Sequence, residues 1–429
     1  MSLVVQKYGG TSLGDAHKIR HVARRVAATV RDRQPVVVVV SAMGGTTDTL
    51  LALARTLTDD PHPRERDLLL STGEQTSAAA LALALHELGT PARSFTGRDA
   101  GITTDGVHAR AHITDIDPTA LQECLATGIV PVVTGFQGVA ADTDEITTLD
   151  RGGSDTTAVA LAAALGAETC EIYTDVDGVH TADPRHVPGA PTITHLTYED
   201  MSELAANGAT VLAHTAVDYA ARHHVSLHVR SSATDLDGTR IGTTTGPTRT
   251  VTDRHGTVIA VTHQTNQLRC RLVAVDPTAL TTVFIALADT DLPLDMLTYR
   301  TGDTSNPPAL QFTVHDHDHG PADHVLSTLA RANGLDGHEW SGPIGKLTLV
   351  GHGLATPRVL SRALNVLRSH RITVEDLSVH PRRISITCPR DATHHALSHL
   401  HHAFFASDNI RTATPALATI TRKQIAAAH

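Results

Sequence analysis

The chain has 429 residues, 41% hydrophobic and 19% charged, with a formal charge of −10. That length calls for two or three domains and an ordinary globular composition. The acidic balance disfavours nucleic acid as a partner, since phosphate affinity needs a basic surface, and no apolar run reaches membrane-spanning length.

Leu3-Val4-Val5 reads as a short strand running into the glycine turn Gln6-Lys7-Tyr8-Gly9-Gly10-Thr11-Ser12, with a helix beginning near Gly14. The start of the chain lacks the basic and apolar regions of a secretion signal, so the cytoplasm is the expected address. The chain holds four lysines (7, 18, 346 and 423) against 31 arginines, so lysine is not its default cation. Lys7 beside a glycine pair suggests a compact ammonium meeting phosphate oxygens; a chance surface lysine is the bland alternative. A helix over Ala16–Arg31 and a strand over Pro35–Val40 follow. The strand delivers the small polar residues Ser41-Ala-Met-Gly-Gly-Thr-Thr47 at its carboxyl end.

Asp67-Leu-Leu-Leu-Ser-Thr-Gly-Glu74-Gln-Thr-Ser77 opens another apolar helix, with Glu74 near the start of its pattern. Glu74 suits an ammonium ligand, although a helix dipole also favours a carboxylate at that end. Strands over Pro91–Thr96, Ile129–Val133 and Glu171–Thr174 alternate with helices, which predicts a largely parallel sheet covered on both faces. Ligands of such sheets sit at strand carboxyl ends, so Lys7, Thr47, Glu74 and the glycine run at 152 are expected to share one cleft.

In the stretch Ile146–Leu165, Gly152 and Gly153 run into a long Ala/Leu helix pattern, with Ser154, Asp155 and Thr156 as N-cap chemistry. A helix start is an anion socket. Arg151 can grip a carboxylate or phosphate through two parallel hydrogen bonds, and Asp155 can hold a cation or orient a lysine. The loop Tyr173-Thr-Asp-Val-Asp-Gly-Val-His-Thr-Ala-Asp183-Pro-Arg185 suits nucleotide binding.

From 233 to 257 large apolar residues thin out, which places the domain connection there. Two smaller units follow. The first reads as strands Val258–Thr262 and Arg269–Val275, helix Leu280–Ala288, and strands Asp295–Tyr299 and Ala309–Val314. The second reads as Lys346–Val350, helix Arg358–Ser369, strands Ile372–Leu377 and Arg383–Thr387, and helix Ala392–Phe405. This β-α-β-β-α repeat is a small-ligand module. Cys124, Cys170, Cys270 and Cys388 lack zinc or disulfide spacing and read as small core residues. The tract Val314-His-Asp-His-Asp-His-Gly320 reads as a solvated loop, and no metal site is assigned.

Seven ordered motifs resemble the aspartokinase family across essentially the whole chain: Lys7-Tyr-Gly-Gly-Thr-Ser12, Val38-Val-Val-Ser-Ala-Met43, Leu69-Leu-Ser-Thr-Gly-Glu74, Ala100-Gly-Ile102, Gly135-Phe-Gln-Gly138, Arg151-Gly-Gly-Ser-Asp-Thr-Thr157 and Tyr173-Thr-Asp-Val-Asp-Gly178. The resemblance implies an α/β amino-acid-kinase fold over 1–248, then two ferredoxin-like ACT regulatory units over 257–340 and 341–429. It implies transfer of the ATP γ-phosphoryl group, with Mg²⁺, to the side-chain carboxylate of L-aspartate, giving 4-phospho-L-aspartate. By the family pattern, Lys7 is catalytic and Asp155 orients it. Gly9, Gly10, Ser12, Gly152 and Gly153 hold phosphoryl oxygens. Thr47, Glu74, Arg151 and Ser154 bind the amino acid, Arg151 at its α-carboxylate and Glu74 at its ammonium. Thr174, Asp175, His180, Arg185 and Thr210 hold the nucleotide. A homo-oligomer through the ACT units is implied, with no nucleic acid or membrane partner.

The chain departs from the family pattern at Thr210, where a lysine is usual, at His180, where tyrosine is usual, and at Asp150, where glycine is usual. The family's Pro-Gly turn is absent around Asp276-Pro-Thr-Ala-Leu280 and Gly351-His-Gly-Leu-Ala-Thr356, so inhibition by lysine or threonine is expected to be weak or absent. The alternatives are a kinase of the same fold acting on another amino-acid carboxylate, or a catalytically weak regulatory or ligand-binding homologue.

Overall fold

The computed structural model describes residues 3–243, 251–253, 256–273, 277–288, 292–302, 307–333 and 337–406. Its centre is the strand Val4–Tyr8, flanked in parallel by Val36–Val40 and Thr169–Thr174. The run of five valines is fully buried, as a central strand covered on both faces requires. Successive valines serve opposite cores. Val37 and Val39 pack with the helix Gly153–Ala164, and Val36, Val38 and Val40 with Ala16–Arg31 and Pro63–Glu87.

The sheet has eight strands in the order His195–Thr197, Thr239–Gly242, Ser226–Ser231, Thr169–Thr174, Val4–Tyr8, Val36–Val40, Val130–Thr134 and Ala92–Phe95. Its neighbours are parallel except Ser226–Ser231 with Thr239–Gly242. The expected α/β architecture is therefore present. Thr239–Gly242 lies inside the stretch read as a domain connection, whose residues 244–250 and 254–255 lie outside the described ones. A second sheet of four strands, Ile113–Ile116, Ile102–Thr104, Gln137–Ala140 and Ile146–Thr148, was not foreseen. Strands of three or four residues are too short to show a period.

The C-terminal sheet runs Asp295–Arg300, Ala309–His315, Gly256–Val273, His338–His352, Arg383–Pro389, Leu377–His380. The segments expected as two strands, Val258–Thr262 and Arg269–Val275, form one strand of 18 residues, Gly256–Val273. Register shifts between Gln264 and Gln267 absorb the polar break between the two expected strands. Its first half pairs with the second half of His338–His352 (Gln264 with Lys346), and its second half with the first (Leu272 with His338). The border between 340 and 341 thus falls inside a strand common to both repeats. Ile372–Leu377 is not a strand; the strand is Leu377–His380. The histidine tract is no loop either. Asp316–Asp318 is a 3-10 turn leading into the helix His319–Asn333, and buried Asp318 pairs with Arg110 at 3.3 Å. All four cysteines are buried and unpaired. Among the described residues no helix is long and apolar enough to cross a membrane.

Candidate active site

Lys7, near the carboxyl end of the central strand, aims its ammonium at Asp155. Nζ lies 2.5 Å from Oδ1, and both side chains are nearly buried. The other Asp155 oxygen accepts the Ala213 backbone N–H at 3.2 Å. The helix N-cap is Gly152, so Ser154, Asp155 and Thr156 are not the caps that sequence suggested but members of the first turn. Gly152 has φ +78°, and a Cβ there would stand 2.4 Å from the Ala213 Cβ. Only glycine fits both demands. At Gly10 the constraint is proximity: an added Cβ would meet the Ala42 carbonyl oxygen at 2.5 Å. Gly9 donates its N–H to the Tyr173 carbonyl at 3.1 Å, and Ser12 is buried with its hydroxyl 2.8 Å from that of Ser232.

Glu74 sits in the middle of the helix Pro63–Glu87, not near its start, so the helix dipole does not account for it. It is 3% exposed. Oε1 accepts the Ala42 N–H at 2.9 Å, while Oε2 is buried with no hydrogen-bond partner. Burial pushes this carboxyl up to about 7, against the pull of the Ala42 N–H and of Lys7. The charge of Lys7 acts on Glu74 although the two form no ion pair, which places Glu74 in the neighbourhood of the Lys7–Asp155 pair. Thr47 is half-buried in the first turn of Thr46–Leu57. Arg151 is exposed at the mouth of the glycine turn, and its N–H donates to Asp150 Oδ1 at 2.7 Å. The unusual Asp150 thus closes its own turn. Ser154 is buried against Gly135.

Thr174, Asp175, His180, Arg185 and Thr210, expected together from sequence, line one open cavity. His180 Nδ1 lies 2.9 Å from the Ala190 carbonyl, and Arg185 pairs with Asp183 at 2.7 Å.

Sequence reasoning missed the far wall, built by Val261, Thr262 and His263 of the long C-terminal strand. Thr262 donates to the Asn207 carbonyl at 2.6 Å, and fully buried Lys346 donates to Asn207 Oδ1 at 3.0 Å while pairing with Asp295. Gly208 has φ +108°, with its Cβ position 2.4 Å from the His263 carbonyl oxygen. The signal was faint but present: Lys346 is one of four lysines and sits in an apolar strand.

Residues 2–231 match the model of the amino acid kinase family. An aspartokinase of Mycobacterium bovis is 44% identical, over 94% of this chain and 96% of its own length. One of Geobacillus stearothermophilus is 42% identical, over 94% and 97%. The solved aspartate kinase of Synechocystis is 36% identical over 94% of this chain and 69% of its own, with a TM-score of 0.52. E. coli aspartokinase III, solved with aspartate and ADP, shares the fold at a TM-score of 0.79 and 24% identity over 94% of this chain and all of its own. On this likeness over nearly its full length, the chain belongs to the aspartokinase family.

Proposed function

We propose that the cleft transfers the γ-phosphoryl group of ATP to the side-chain carboxylate of L-aspartate. A carboxylate oxygen bonds to the γ-phosphorus, the bond to the β,γ-bridging oxygen breaks, and ADP leaves. The acceptor is already ionised at neutral pH, so no general base is needed. Catalysis reduces to bringing two anions together and balancing the charge that develops. Lys7 carries that charge, oriented by Asp155, and the turns at Gly9, Gly10, Gly152 and Gly153 hold phosphoryl oxygens, with Ser12 supporting the first. Arg151 grips the α-carboxylate, Thr47 and Ser154 complete the amino-acid site, and Thr174, Asp175, His180, Arg185 and Thr210 hold the nucleotide. Mg²⁺ enters as MgATP. Asp155 is already engaged by Lys7 and Ala213, which fits an ion carried by phosphate oxygens rather than by a protein cage.

The observation that carries this reading is the buried, unpartnered Oε2 of Glu74 near the Lys7–Asp155 pair. A buried carboxylate oxygen without a donor is costly, and a substrate ammonium supplies one. The test is a hydroxylamine trap with MgATP and L-aspartate, run beside L-glutamate. Aspartyl hydroxamate is the expected product, and its absence at high enzyme concentration refutes the reading.

The same reading takes 1–248 as the catalytic part, and 257–340 and 341–429 as regulatory units that share two strands. It puts the working enzyme in the cytoplasm, where ATP is made available. The terminal strands of the C-terminal sheet, Asp295–Arg300 and Leu377–His380, leave edges for a second copy, and a homo-oligomer joined there is checked by sedimentation.

A further inference from the structure

Three histidines far apart in sequence meet behind the nucleotide cavity. His186 follows the loop bearing Asp183 and Arg185, His263 lies on the long C-terminal strand and lines the cavity, and His394 lies on the helix Thr393–Phe405. The rings of His186 and His394 stack at 3.7 Å, and His263 stands edge-on to them at 5.0 and 5.2 Å. One ring nitrogen from each lies within 4.8 Å of the other two. Among the described residues no hydrogen bond occupies any of these ring nitrogens.

The scaffold around them is packed. The Val261 N–H donates to the Thr181 carbonyl at 2.8 Å, and the Thr181 hydroxyl meets His401 Nε2 at 2.9 Å. Ala182 and Val187 share a core with Leu397 and Leu400 of the His394 helix. The backbones that carry the three rings are therefore fixed against one another, and only side-chain rotation brings the nitrogens together. Tetrahedral coordination at the usual Zn–N distance needs nitrogens about 3.3 Å apart, a closure of about 1.5 Å from the upper limit above.

We propose that His186, His263 and His394 form a binding site for a divalent transition-metal ion of the zinc class. Three imidazole nitrogens without thiolate suit Zn²⁺ or Co²⁺, and a hard ion such as Mg²⁺ prefers oxygen, so the site is separate from the kinase's own MgATP. Asp183, whose charge acts on both His263 and His394, lies outside the cluster and is held by the Arg185 guanidinium, so water is left to complete the coordination. A bound ion clamps three segments at once: the nucleotide loop, the shared regulatory strand and the last described helix. An ion that binds only this assembled state stabilises it by mass action.

The test uses the full chain, stripped of metal and titrated with Co²⁺ followed by visible absorption, then displaced by Zn²⁺ in calorimetry. The expected result is one event per chain with the intense bands of low-coordinate Co²⁺. His394→Ala and, separately, His186→Ala weaken it by at least about tenfold, since each removes a ligand. His394 is exposed, so its loss leaves the fold intact. A second surface cluster, His315, Asp316 and His317, is the control, and His317→Ala leaves the event in place. Zn²⁺ also raises the Tm of the parent and not of His394→Ala. Binding curves and Tm shifts that are unchanged in both histidine variants, or a purely octahedral Co²⁺ spectrum, overturn the proposal.

Discussion

Glu74 is the residue whose chemistry is most open to test. Burial raises its carboxyl from 4.5 to about 7 in the unliganded chain. The folded protein therefore keeps a proton that the unfolded chain has released, and the group's contribution to stability is complete below about 4.5 and is lost as pH rises through about 7. A shift of that size corresponds to about 3 kcal/mol. Substrate binding reverses the preference, because an aspartate ammonium at Oε2 requires the carboxylate form. Below the Glu74 pKa only the deprotonated fraction binds, so the aspartate KM rises up to about tenfold for each pH unit of acidification. Neither carboxylate of aspartate titrates near neutrality. The assay is ADP release at saturating MgATP across about pH 6 to 8, bracketing the value given above. Glu74→Gln keeps an acceptor for the Ala42 N–H but loses the charge. Its aspartate KM rises by about ten- to a hundredfold, from a charge-assisted bond worth ~1.5–3 kcal/mol, and becomes independent of pH. A flat parent KM across that range, or a variant that keeps the parent's slope, removes Glu74 from the ammonium site.

Lys7→Ala lowers kcat at least about a hundredfold with little change in the aspartate KM, as expected for charge stabilisation made mainly in the transition state; steady-state kinetics check it, and a mild loss takes Lys7 out of the catalytic role. Arg151→Ala raises the aspartate KM by about tenfold or more through loss of a charge-assisted contact, while the ATP KM stays put. Thr210→Lys, on the exposed wall of the nucleotide cavity, tightens ATP binding about tenfold by calorimetry without moving the aspartate KM. Asp295→Asn leaves the buried Lys346 ammonium with a neutral partner and costs at least about 2 kcal/mol in urea denaturation, whereas a silent variant shows that Asn207 alone satisfies it.

What could be read in the sequence follows from how local each signal is. Gly10 and Gly152 are glycines for reasons acting within a few ångströms, close approach of the backbone at one and a left-handed φ at the other, and such constraints leave a fixed mark in the chain. The apolar run beyond Asp67 dominates the pattern and starts the helix carrying Glu74 too late, although Pro63 at its first position and Glu65 in its first turn announce the true beginning. The sequence reading leaves a gap between Val258–Thr262 and Arg269–Val275 at the polar stretch Gln264-Thr-Asn-Gln267, which lies within the continuous strand Gly256–Val273. It stays in the sheet because Gln264 pairs with Lys346 and Gln267 with Ile344 across the register shift. That pairing belongs to two segments some 80 positions apart and leaves no periodic trace in either.

The same long-range pairing explains why the nucleotide cavity is not a property of the N-terminal fold alone. Residues 208–211, within the segment from 207 to 213, form one wall. At one end the segment is held by Thr262 and Lys346 of the C-terminal sheet. At the other, the Ala213 N–H holds Asp155, the partner of Lys7. Lys346 is buried and bound to both Asn207 and Asp295, so moving the strand that carries Asp295 away from it has only two outcomes: a buried ammonium loses its counter-charge, or Asn207 is carried along. The first costs several kcal/mol, and the second shifts a wall of the cavity proposed for ATP. Packed contacts of this kind deform in steps rather than continuously. The C-terminal sheet is thus part of the cavity proposed for the nucleotide, and Thr210 stands on the segment that joins the two.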